Sequence, residues 1–237
     1  MGAFGESIRT AFELILHADA GLLRTVALSL WVSGSACLIG AGFGLALGAW
    51  LAVARFPGHR AAVLCVNTLL ALPAVVVGLF VYLLLSRSGP LGRWGILFTP
   101  AAMVMAQTIL VLPVITALTR QLVADSLRDG GDQLRSMGAR PMTCALLMLL
   151  HDRWAVLMVL IAAFGRAIAE VGAVMIVGGN IDGVTRVMTT SIALETSKGD
   201  LPMAMALGIV LLLVVGLVNV ALSFAQRGHG SALAGVR

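Results

Sequence analysis

Arg166 and Glu170 are the two residues from which chemistry could start. They stand four apart, on one face of a helix, inside an apolar run from about residue 154 to 179. A charge at that depth costs a few kcal/mol on insertion scales, so it pairs or faces water. Two readings stay open: an intrahelical ion pair buried against a neighbouring helix or subunit, or a polar step on a pathway. A net-neutral pair attracts an anion poorly, which favours the first. The other reactive side chains form no constellation. His17, His59, His151 and His229 are scattered, and Cys37, Cys65 and Cys144 lack paired spacing, so the cysteines read as small apolar packing residues. The one lysine, Lys198, lies in Ser-Lys-Gly-Asp and not in a phosphate-binding loop; H-E-x-x-H and G-x-S-x-G are absent. No catalytic residue and no metal site is nominated, and no nucleotide, metal or prosthetic group is expected to bind this chain. Any energised process would draw on a separate chain.

The elements that must position these residues are membrane spans. Mean hydropathy is +1.02, 59% of the 237 residues are hydrophobic and only 11% are charged, against about a quarter in soluble domains. A spanning helix needs roughly 20 apolar residues. Five stretches qualify, at about 25–54, 61–86, 98–120, 154–179 and 201–225, which predicts an all-α polytopic bundle of about five transmembrane helices in a single domain over 1–237. Residues 1–20 form an interfacial N-terminal segment in which Phe4 to Leu16 alternates charged and apolar residues. Its Glu6, Arg9, Glu13, His17 and Asp19 are too polar for a cleavable signal. Residues 226–237 are read as a tail.

Fifteen of the sixteen basic residues are arginines, lying mostly between the apolar runs. That distribution suits membrane topology and not nucleic-acid binding. With the long connection 121–153 inside, the inner side holds Arg55, Arg60, Arg120, Arg128, Arg135, Arg140, Arg153, Arg227 and Arg237. The outer side holds Arg9, Arg24, Arg87, Arg93, Arg186 and Lys198. Nine against six predicts the N-terminus outside and the C-terminus in the cytoplasm. Within the spans, Ala36, Gly40, Gly44, Gly48 and Ala52 recur every four residues and bare one face for close packing. Pro73 and Pro113 each remove an amide donor and are expected to kink their helices, beside a pathway or for packing alone.

The connection 121–153 carries Asp132-Gln133-Leu134-Arg135-Ser136-Met137-Gly138-Ala139, then Pro141 and an apolar stretch to Leu150. Gly138 suits a left-handed helix end and Pro141 the first turn of the next helix, giving an exposed elbow. The segment resembles the cytoplasmic coupling motif of binding-protein-dependent ABC permeases. Asp132 takes the acidic position and Gly138 the glycine, while Gln133 and Leu134 replace two alanines and His151 a proline. Phe164 to Asn180 resembles the fourth-span signature of molybdate, sulfate and tungstate permeases. The continuation Thr185 to Thr196 is closer still to tungstate permeases, as are Asn67 to Pro73, Gly89 to Gly92, and Leu97 to Pro100 with Gln107.

The resemblance implies a type I ABC importer permease fold in the bacterial inner membrane, as a homodimer. Cytoplasmic ATPase subunits would dock below, and an extracytoplasmic oxyanion-binding protein outside. Asp132, Gln133, Leu134, Gly138 and Ala139 would couple the ATPase to the spans. On the outer loop, Thr185, Arg186, Thr189 and Thr190 would contact the binding protein or guide the anion, or else cap a surface helix. Tungstate is the expected oxyanion; molybdate or sulfate, or an ATP-independent transporter or channel, are the alternatives.

Overall fold

The computed structural model describes residues 3–17 and 20–234. Among them the chain is helical throughout its regular elements, and no strand occurs. Three helices are long and apolar enough to cross a bilayer by themselves: α2 (Ala20–Val53), α5 (Pro100–Ser136) and α10 (Leu201–Ala234). Counting each of two bent pairs as one span raises the number to five: α3 (His59–Leu69) with α4 (Ala74–Leu85), and α6 (Pro141–His151) with α7 (Arg153–Ile168). The chain is an all-α, polytopic membrane protein.

Several boundaries differ from the sequence expectation, for identifiable reasons. The run 61–86 is no straight span: α3 and α4 meet at 98°, and Pro73, extended at ψ 122, stands immediately before α4. The span expected to end near 120 continues as α5 to Ser136. Charges after Arg120 end the hydrophobic stretch, but they do not end a helix whose surface has reached water. Pro113 lies inside α5. The run 154–179 is interrupted: α7 stops at Ile168 and α8 (Gly172–Gly178) begins after three non-helical residues. The connection 180–200 contains a further helix, α9 (Met188–Lys198). α10 runs to Ala234, into the expected tail. Arg237 and the side chains of Arg135 and Arg227, all counted toward the inner side, lie outside what is described.

The chain groups into two compact units, one of the residues up to Ser29 with those from Arg186 onward, the other Leu30–Thr185. In the first, α1 (Ala3–His17) packs along α10, and α9 also packs on α10 around Met188, Leu207 and Val210. α1 buries Ser7 and Ala11 while Ile8, Phe12, Ile15 and Leu16 stay exposed. At 1.5 Å per residue this 15-residue helix reaches only about 22 Å, short of a bilayer core. In the second unit α5 is the central post, touching α3, α4, α6, α7 and α8. The small-residue face of α2 closes on it. A Cβ at Gly44 would lie 2.8 Å from Ile115, and one at Gly48 would lie 2.6 Å from Thr119 and 2.7 Å from the Thr116 carbonyl. Only glycine permits that approach.

Candidate functional site

The elbow is built by a helix end and a helix start placed back to back. α5 closes with the Ala139 amide donating to the Leu134 carbonyl at 3.1 Å, the six-residue bond of a Schellman ending. Gly138, at φ +79, supplies the left-handed residue that this ending requires. Arg140 is extended, as a residue before proline must be, and Pro141 opens α6 where no amide donor is needed. The inner side of the elbow is fastened. Leu134 and Ala139 pack with Ala49, Val123, Leu127, Cys144 and Ala145, joining the end of α2 to α5 and α6. The Ser126 hydroxyl bonds to the Asp152 carboxylate, tying α5 to the joint of α6 and α7. The outer side is bare: Asp132, Gln133 and Gly138 are exposed, and Met137 is 82% exposed.

The break between α7 and α8 holds the charged pair. Arg166 Nη1 donates to Glu170 Oε2 at 2.8 Å. The burial is lopsided, with the Glu170 side chain 5% exposed and that of Arg166 43%. Glu170 Oε1 accepts from the Ala173 amide at 3.2 Å, so the carboxylate also satisfies a donor freed by the break. Gln107, on α5, donates through Nε2 to the Ala167 carbonyl at 3.0 Å, and its Oε1 is buried with no partner. Glycines let the neighbouring helix support the break. A Cβ at Gly172 would meet Val75 at 2.9 Å, and one at Gly78 would meet the Ala173 backbone at 2.8 Å.

No established family profile matches the chain. Individual relatives do. It is 39% identical over 92% of its length to the tungstate uptake system permease protein TupB of Peptoclostridium acidaminophilum, covering 96% of that protein. It is 40% identical over 88% of its length to a probable anion ABC transporter permease protein of Haloferax volcanii, covering 93% of it. The TupB protein of Campylobacter jejuni is 36% identical, with 90% of each chain covered. The chain belongs to the anion ABC transporter permease family.

In this permease the remaining nominated residues are placed as follows. Thr185 is buried; its hydroxyl accepts from the Ile181 amide at 2.9 Å and donates to the Gly178 carbonyl at 2.6 Å. It thereby closes a loop that turns through left-handed Gly179, Asn180 and Gly183. Thr190 is buried and bonds the Val187 backbone at the start of α9. Thr189 is 6% exposed and Arg186 half-buried. Two of these hydroxyls, those of Thr185 and Thr190, bond backbone groups that a turn and a helix start leave over.

Three features escaped the sequence. Gln107 was noted for resemblance but not for its hold on the broken span. The Ser126–Asp152 tie links residues 26 apart, and no local pattern announces it. Phe98 adopts φ +62, costly for an aromatic residue. It is held there by its amide bond to the Val177 carbonyl at 3.0 Å, by ring packing on Tyr82, and by the room that Gly179 leaves for its ring.

Proposed function

We propose that this permease is the membrane subunit of an ATP-driven importer of a tetrahedral oxyanion, with tungstate as the substrate. Two of the three relatives named above are tungstate uptake permeases, over nearly the whole chain. The observation that carries the mechanism is the elbow: a tip bearing Asp132, Gln133 and Met137, exposed on one side and clamped to α2, α5 and α6 on the other. A partner gripping the tip would move three helices together. Within this reading, cytoplasmic ATPase subunits grip Asp132 to Ala139, two copies of the chain form the pathway, and an oxyanion-binding protein delivers the anion from outside. The N-terminus is then outside and the C-terminus in the cytoplasm. Arg166, held by Glu170, borders the path as a weakly attractive step, and partly accessible Arg186 meets the delivering protein.

Gly138→Val tests the elbow. A β-branched residue at φ +79 is strained by about 1–2 kcal/mol, enough to unwind the ending without touching the spans. Tungstate accumulation in cells should fall to background and co-purification of the ATPase should weaken, while the amount of permease in the membrane is unchanged. Normal accumulation with normal abundance would remove the elbow from the mechanism. Accumulation of molybdate or sulfate in place of tungstate would reassign the substrate and leave the elbow standing.

A further inference from the structure

A cavity of about 1070 Å³ opens in the second unit between the end of α2, the turn that follows, the start of α3 and the elbow. Arg55, His59 and Arg60 line one part of it, and Leu127, Pro141 and Cys144 another. No carboxylate is among the described lining residues to neutralise the two guanidinium groups. Arg55 and Arg60 are both exposed, and α3, eleven residues long, begins between them with its positive end on the same side. His59 is fixed by its Nε2 contact to the Leu51 carbonyl at 2.8 Å. Beside it Trp50 stacks on Phe56, 5.2 Å between centroids, at the end of a spanning helix where aromatic rings settle at the bilayer interface.

We propose that this cavity binds an anionic phospholipid, its phosphate held by Arg55 and Arg60 and the start of its acyl chains laid on the apolar wall. Arginine forks match phosphate oxygens in pairs, and basic recesses at helix ends are where lipid headgroups bind. Size selects the lipid over a bare oxyanion. Pockets for organic ligands run to about 1,000 Å³, and this one is at that limit. A five-atom anion would fill only a small part of that space. Because Pro141 and Ala139 also line the cavity, the bound lipid touches the elbow from its fastened side. The inference holds whether or not the elbow meets an ATPase.

Native mass spectrometry of the purified full-length permease tests it, with phosphatidylglycerol, phosphatidylcholine, inorganic phosphate and tungstate offered separately. Phosphatidylglycerol should be retained about tenfold better than phosphatidylcholine, and the Arg55→Gln/Arg60→Gln variant should lose that preference. Ala54→Trp, which fills the cavity and keeps both arginines, should lose it too, whereas Arg87→Gln/Arg93→Gln, at the turn after α4, should not. Equal retention of the two lipids, or a preference that survives loss of both Arg55 and Arg60, overturns the proposal. Retention of phosphate or tungstate that depends on Arg55 and Arg60, without lipid retention, overturns the lipid assignment.

Discussion

At the scale of single residues, the Arg166–Glu170 pair is asymmetric, and the asymmetry is measurable. Glu170 is almost fully buried and Arg166 is not. Removing Arg166 takes away the cation that faces a buried carboxylate, which should destabilise the break. Neutralising Glu170 leaves a guanidinium that is still 43% accessible and keeps a polar acceptor for the Ala173 amide. Arg166→Ala should therefore lower the thermal midpoint of the purified permease more than Glu170→Gln. Adding Glu170→Gln to Arg166→Ala should restore part of the loss, since a buried negative charge facing no cation is then gone. Equal losses from the two single changes, with no recovery in the double, would mean that the pair does not hold the break in this way.

At the scale of elements, helix packing around α5 rests on a few approaches that no side chain could share. Gly48 and Gly42 lie on the same helix but face different surroundings. A methyl at Gly48 meets Thr119 and the Thr116 carbonyl inside 3 Å, whereas one at Gly42 meets nothing within 4 Å. Gly48→Ala should reduce stability by about 1–3 kcal/mol through overpacking. Gly42→Ala should be neutral or slightly stabilising, because alanine is the better helix former. Thermal midpoints of the two variants in one detergent check the contrast, and equal midpoints would remove the packing account. The same logic shows how much of α2 was readable. The four-residue spacing named the face, but its partner, the Ile115 to Thr119 stretch of α5, became known only from the fold.

At the scale of the whole molecule, the proposed orientation rests on where the arginines fall between spans. An alkaline phosphatase fused after Arg237 should be inactive, and a cytoplasm-active reporter there should be active, in line with the C-terminus inside. The reverse result would turn the elbow outward, and with it the proposed ATPase contact. Such an outcome would leave the family assignment intact, since that rests on identity along the chain and not on topology.

The amino-acid sequence by itself determined the solvent, the class of fold and the family. Hydropathy is a sum over local composition, and a helix in lipid must satisfy its own backbone, so long apolar runs have one available structure. It also placed the elbow, because glycine and proline dictate backbone angles locally: Gly138 is left-handed and Pro141 opens a helix. Only the tertiary structure decided where spans break, which hydroxyls are spent and which charges are covered. The interruption after Ile168 depends on Gln107 and on close approach by α4, both remote in sequence. Thr185 and Thr190 read in sequence either as contacts for the binding protein or anion or as caps of a surface helix, and only the fold shows them bonded to the backbone of a loop and of a helix start. Burial is a property of neighbours, and neighbours distant along the chain leave no periodic trace in it.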